Sequence, residues 1–356
     1  MNKWFDSNAL WLSMCIGALG YKLFLPLSPT LPWLIFFMLF FTFCKVNPLD
    51  LRLHKWHWAV LFAQLFLSFA AYAGVFALTR NKILAQGLLM CFIMPTATAA
   101  PIIAGKLGGS IQNLTTFTLL SNFATALIVP LTFPLINPAA DMTFFTAFLL
   151  ILSRIAPLLL GPFFAAWSLR IGYNYYQRRK YLSASETRGL SVKRSVSASG
   201  LSADGGLPTF MLSKKLALIP FYLWVASIIV LMAVVTQTVL DNLSLYVSTI
   251  LMLLVVSFFA CLIQFALGKF IGYCLPAPSK GKDYQDVLIN PAAAPKNMQE
   301  VSSITAGQAF GQKNTSLGVW MAQTYLNPMA TLGAAAYILW QNIFNSAQLT
   351  LAAHKK

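Results

Sequence analysis

The sequence predicts an all-α integral membrane protein of ten transmembrane helices, built as two inverted five-helix repeats with broken, crossing helices 4 and 9. Three observations carry that prediction. Of 356 residues, 58% are hydrophobic and only 10% charged, against about 25% charged in an average soluble domain. The apolar residues gather into ten runs, divided five and five by one basic, polar stretch. The fourth and ninth runs are interrupted by prolines or by polar residues.

This composition excludes a water-soluble enzyme, a disordered chain and a nucleic-acid reader, since so few charges could not cover a soluble surface. Mean hydropathy of +0.69 points the same way. The expected partners are therefore the lipid bilayer and a small molecule, not nucleic acid; protein partners are not indicated. No cleavable signal peptide is expected, because the first apolar run lacks a small-residue cleavage site and another run follows at once.

The ten runs lie at about 8–25, 31–45, 57–78, 84–105, 111–136, 143–169, 215–240, 246–272, 299–325 and 328–350. Most reach the roughly 20 residues that a bilayer core demands. The first two are short and joined through Pro26 and Pro32, so a helical hairpin that does not fully cross is the alternative there.

Charge sets the orientation. With the N-terminus inside, 20 of the 25 Lys and Arg fall on the cytoplasmic side, and only Arg80 and Lys82 fall opposite. Lys22, Arg154 and Lys313 lie within runs. Such an asymmetry follows the positive-inside rule and predicts both termini cytoplasmic in a plasma (inner) membrane.

The chain divides into 1–169, carrying the first five-helix repeat plus helix 6; a basic linker at 170–214; and 215–356, carrying the remaining helices. The linker is rich in Ser, Gly, Lys and Arg, a composition that reads as a flexible tether. Five helices per half invert the second half relative to the first, the arithmetic of an inverted-repeat transporter.

The chemistry concentrates in two runs. In the fourth, Pro95 and Pro101 bracket Thr96-Ala97-Thr98-Ala99-Ala100. Each proline removes a backbone donor and crowds the preceding turn, so an opened segment is expected. In the ninth, Gly307, Gln308, Gly311, Gln312, Lys313, Asn314, Thr315 and Ser316 are too polar for lipid contact. A lysine at the centre of a span costs about 2.5–3.5 kcal/mol on insertion scales and is usually functional. Two interrupted helices at matching places in the two halves are expected to cross at the midplane, as discontinuous helices do around transporter sites. The expected substrate site is lined by Thr96, Thr98, Gln308, Gln312, Lys313, Asn314 and Thr315, with Thr118, Ser121 and Asn122 of the fifth run offering further oxygen ligands.

Four stretches resemble the bile acid:sodium symporter family: Pro95-Thr96-Ala97-Thr98-Ala99 with Ala104-Gly105-Lys106; Pro157-Leu158-Leu159-Leu160-Gly161; Gly311-Gln312-Lys313-Asn314-Thr315-Ser316-Leu317; and Ala336-Tyr337-Ile338-Leu339-Trp340-Gln341-Asn342-Ile343. Their order covers about 31–350 outside the linker. The resemblance implies ten helices in a panel and a core domain, and sodium-coupled uptake of organic anions. Four positions depart from the family pattern. Ala100-Pro101 stands where Ser-Asn is usual, Ala309 stands in place of a Glu, and Lys313 stands in place of a Gln. Sodium is thus the one ion implied, and Ala309 and Lys313 replace ligands it would be expected to use. An ammonium at 313 would bring a fixed positive charge to that place. No other cofactor and no protein-bound metal is expected.

The leading expectation is a secondary transporter of a small or amphipathic organic anion working by alternating access. A membrane receptor or scaffold without transport is the alternative. A lipid-modifying membrane enzyme is disfavoured because no acid pair, His/Asp cluster or nucleophile constellation is visible, and no enzymatic activity is expected. Arg154 is read as a substrate contact or a structural partner, and Trp33, Trp56 and Trp58 as interface anchors. The five cysteines are read as buried free thiols.

Protease added outside intact cells should leave 170–214 uncut, and cysteines placed there should resist a membrane-impermeant maleimide. Labelling of the linker from outside would reverse the topology.

Overall fold

The computed structural model describes residues 3–44, 51–138, 141–187, 218–277 and 298–354. The architecture is helical throughout these residues. The chain begins with α1 (Lys3–Leu19), the single turn α2 (Tyr21–Phe24), a 3-10 turn at Leu25–Thr30 and α3 (Leu31–Phe43). Next come α4 (Lys55–Thr79), α5 (Lys82–Ile93), α6 (Ala100–Lys106), α7 (Ile111–Ile136) and α8 (Phe144–Thr187). The second part holds α9 (Ile219–Cys274), α10 (Met298–Gly311), α11 (Thr315–Tyr325), a 3-10 turn at Pro328–Ala330, and α12 (Thr331–His354). Helical geometry in α9 breaks at Tyr246 (φ −128°, ψ 23°), giving arms Ile219–Ser244 and Tyr246–Cys274.

Six of these helices are long and apolar enough to cross a membrane: Tyr21–Phe43, Lys55–Thr79, Ile111–Ile136, Phe144–Gln177 and the two arms of α9. The protein is an integral membrane protein. The other expected runs fall short for physical reasons. α1 has 17 residues. The fourth and ninth runs are each split in two, and α12 carries Gln341, Asn342, Asn345 and Gln348. Large apolar side chains face outward all round, including Leu19, Phe62, Phe66, Leu78, Leu135 and Phe270. A soluble protein would rarely expose so much contiguous apolar surface.

Inside, the buried apolar side chains form two clusters. The larger joins α3, α5, α7, α8, α9, α11 and α12 through Ile35, Leu89, Met94, Val129, Ile155, Leu231, Leu317 and Tyr337. The smaller gathers Trp56, Val60, Ala104, Phe117, Ala309 and Phe310 from α4, α6, α7 and α10. The clusters meet where the two split runs approach, with Met94 and Leu317 in one and Ala309 and Phe310 in the other.

Several expectations need correction. The linker was placed from 170, but α8 continues through Thr187. Arg170 explains part of this: it is buried and its guanidinium donates to the Cys44 carbonyl at 3.1 Å, tying α8 to the end of α3. Positions 188–214 lie outside the described residues. Trp33 and Trp58 are exposed as anchors should be, but Trp56 is fully buried, stacked on His57 at 4.0 Å. His57 is itself fixed at both ring nitrogens, by the His54 amide at 2.7 Å and the Asn113 carbonyl at 2.9 Å. All five cysteines are free, but Cys15 and Cys274 are exposed.

Close helix approach positions the ninth run. A Cβ on Gly272 of α9 would stand 2.2 Å from the Ser302 carbonyl oxygen, and one on Gly268 would stand 2.5 Å from that of Ala306. Backbone cannot yield as a flexible side chain can, so these two glycines, one turn apart, set how near α10 sits to α9. Gly272→Leu is expected to lower thermal stability in detergent by about 1–3 kcal/mol, the usual cost of overpacking. Gly74→Ala on α4, where an added Cβ meets nothing within 4 Å, should instead be neutral or stabilising by roughly 0.5–1 kcal/mol. Equal melting curves for the two variants would contradict this packing.

Candidate functional site at the crossing of two broken helices

The two interruptions meet. Pro95 removes an amide hydrogen just after α5 ends, and the chain leaves the helix over Met94–Ala99 before α6 begins. The second break is shorter, Gln312–Asn314, between α10 and α11. They pass antiparallel, with Thr96 opposite Lys313. The Ala97 amide donates to the Gln312 carbonyl at 2.9 Å, and the Asn314 amide donates to the Pro95 carbonyl at 2.8 Å. These bonds flank Thr96 and Lys313, which makes them a non-hydrogen-bonded pair, the kind in which opposed side chains lie closest.

The outward amides of that pair are also satisfied. The Thr96 amide donates to Ser121 Oγ at 3.2 Å, and the Lys313 amide donates to Gln341 Oε1 at 2.9 Å. The helix ends behind them are capped by side chains. Gln264 Nε2 donates to the Cys91 carbonyl at 3.1 Å and Gln64 Nε2 to the Met94 carbonyl at 3.1 Å. On the other run, Tyr337 Oη donates to the Gly311 carbonyl at 2.8 Å and Thr96 Oγ1 to the Ala309 carbonyl at 2.7 Å. Asn314 Oδ1 accepts from the Leu317 amide and starts α11. Carbonyls at the end of a helix have no partner within it, and an unpaired one in hydrocarbon costs several kcal/mol. Isolated glutamines in apolar helices are placed to meet that need.

Lys313 is 1% exposed. Its Nζ has no hydrogen-bond partner among the described residues and lies 5.0 Å from the centre of the Phe310 ring. It does not snorkel to the membrane edge. Other polar atoms here are also buried without partners: Asn314 Nδ2, both side-chain atoms of Asn122, and the Oε1 atoms of Gln64 and Gln264. Each belongs to a residue that takes part in the crossing or its caps, or adjoins one that does.

The expected site residues thus separate into groups. Thr96, Ser121, Lys313 and Asn314 come together at the crossing, with Asn122 next to Ser121 and buried. Gln308 and Gln312 form a second group. Gln312 Nε2 donates to Gln308 Oε1 and to Asn345 Oδ1 at 3.4 Å, and Gln308 Nε2 to Gln348 Oε1 at 3.2 Å. Thr118 bonds the Leu114 carbonyl of its own helix at 3.0 Å. Thr98 stands half-buried in the turn before α6, and Thr315 is the buried first residue of α11. Arg154 is exposed on α8.

No protein-family model matches the chain, and no curated protein matches it.

Gln64, Gln264, Tyr337, Gln341, Asn345 and Gln348 were not singled out from sequence as site residues. The readable signal was a lone amide inside an apolar helix, which in lipid must have a partner. Tyr337→Phe and Thr96→Val each remove one hydroxyl donor and leave a buried carbonyl unmatched. Each is expected to lower stability by about 1–3 kcal/mol, measured by thermal unfolding in detergent. No loss in either would mean that these carbonyls find other donors.

Proposed function

We propose that the protein is a secondary transporter of a small or amphipathic organic anion, working by alternating access. In this reading ten membrane segments form two inverted repeats, the fourth and ninth being the broken ones, with both termini cytoplasmic. The observation that carries the reading is the antiparallel crossing with Lys313 buried in it. A fold that needed only stability would not bury an unpartnered lysine there, because taking its amine or its charge out of water is costly. Discontinuous helices crossing at membrane depth are the usual construction of a transporter's substrate site.

The roles follow from the geometry. α5, α6, α10 and α11 hold the crossing as a rigid core. Ser121, Gln341, Gln64 and Gln264 fix the crossing peptides from α7, α12, α4 and α9. The remaining helices supply the surface against which the core moves. Ser227 of α9 and Ser316 of α11, whose hydroxyls lie 3.3 Å apart, form one polar contact beside the crossing that substrate binding would exchange.

The test is flux. Purified protein in liposomes should take up radiolabelled acetate, benzoate or cholate faster than protein-free liposomes, with saturation and with counterflow against unlabelled anion. An anion that stabilises the protein but shows neither uptake nor counterflow would replace transport by the receptor reading.

A further inference from the structure

The family resemblance implies a sodium ion at this crossing, and the residues present do not suit one. Sodium is held by several oxygens, usually with a carboxylate among them. Ala309 offers only its carbonyl, which already accepts from Thr96 Oγ1. The carbonyls of Pro95, Gln312, Gly311, Cys91 and Met94 each accept from a protein donor as well. The unpartnered buried oxygens nearby, Asn122 Oδ1, Gln64 Oε1 and Gln264 Oε1, belong to neutral amides, and no carboxylate stands at the crossing among the described residues. The basic group at the crossing is the chain's own Lys313.

We infer that the Lys313 ammonium, together with the side-chain amide of the next residue, Asn314, binds the anionic group of the ligand, and that this binding requires no sodium. The inference rests on the transporter reading and deepens it by naming the charge balance of the site. Lys313 Nζ and Asn314 Nδ2 are both buried donors without partners, on adjacent residues. Asn122, one residue from the Ser121 hydroxyl that holds the Thr96 amide, adds a third such donor in Nδ2. An ammonium and amide hydrogens are complementary to a carboxylate or sulfonate, and a charge-assisted hydrogen bond is about twice as strong as a neutral one. Among the described residues no side-chain acid is bonded to Lys313, so its charged form is balanced when the ligand brings a negative group. The Phe310 ring against the ammonium provides a cation–π contact, which steadies the charge without neutralising it.

The experiment is thermal stabilisation of the purified full-length protein by acetate, benzoate and cholate, each in sodium, potassium and choline chloride at equal ionic strength. The expected result is one midpoint concentration for a given anion, within twofold across the three salts. Lys313→Met should weaken that midpoint at least tenfold. Its own melting temperature without anion should rise, because an unpaired buried charge has been replaced by an apolar chain of similar length. Asn314→Leu, a second variant that leaves the charge in place, should weaken the midpoint several-fold even where Lys313→Met does not fold.

Stabilisation that appears only in sodium overturns the inference while leaving transport intact. An unchanged midpoint in Lys313→Met also overturns it, as does an unchanged midpoint in Asn314→Leu if Lys313→Met does not fold. Sodium-independent binding lost in Lys313→Met, together with absence of flux in liposomes, upholds the inference and removes the transport reading instead.

Discussion

Two backbone hydrogen bonds between residues more than two hundred positions apart hold the centre of this protein. The Ala97 amide with the Gln312 carbonyl, and the Asn314 amide with the Pro95 carbonyl, join two segments that have each abandoned helical bonding. In lipid an exposed peptide group has no water to turn to. Neither break is tolerable alone, and each satisfies the other. The order of the rest follows from this. α5 and α10 must end at the same depth, α6 and α11 must leave on the far sides, and α4, α7, α9 and α12 must each bring a side chain to the peptides that the two bonds leave over.

Those contributions are all neutral: Gln64, Ser121, Gln264, Gln341 and Tyr337. Neutral groups suit the task because an amide or hydroxyl loses far less on leaving water than an ion does. Each binds backbone, so the crossing is fixed by uncharged donors and acceptors. Against that frame of amides and hydroxyls, Lys313 is the basic side chain buried at the crossing among the described residues. Glycine sets its surroundings as well. A Cβ on Gly311 would fall 2.4 Å from the Phe265 ring, and one on Gly318 2.0 Å from Met94 Sδ. The smallest residues thus let the larger side chains close over the crossing.

Much of this was legible in the sequence, for reasons that can be named. The apolar runs follow from composition, since lipid imposes one length and one chemistry on every spanning segment. The break after Met94 follows from Pro95, and the one before Thr315 from polar residues that lipid would reject. What could not be read was pairing. Gln64 and Gln264 look alike as single amides in apolar helices, and only the fold assigns one to Met94 and the other to Cys91. The end of α8 was misplaced because Arg170 resembles a linker residue, until its contact with the Cys44 carbonyl is seen. Trp56 was misread for a related reason. A tryptophan near a span's end serves either as an anchor or as packing, and its stacking on His57 decides between them. Thr118, a hydroxyl on the same helix as Ser121, donates to the Leu114 carbonyl of its own helix and makes no bond to the crossing.

The polar residues beyond the crossing are arranged asymmetrically. Gln341, Asn345 and Gln348 recur at helical spacing on one side of α12, and Gln308 of α10 and Gln312, the first residue of the break after it, answer them. Seven residues of helix advance about 10 Å, so this row of amides extends from the buried Lys313 amide to the half-exposed Gln348. Every link is an amide, able to donate and accept, and so able to exchange a neighbouring amide for water or for an anion without leaving a charge uncovered. Gln308, Gln312, Asn345 and Gln348 bond to one another. In the proposed transporter, opening toward the C-terminal end of α12 would therefore break side-chain bonds alone. The backbone bonds at the crossing could stay in place while access to Lys313 changed. In that proposal a path that opens beside a fixed crossing would let Lys313 keep its position while its exposure alternates.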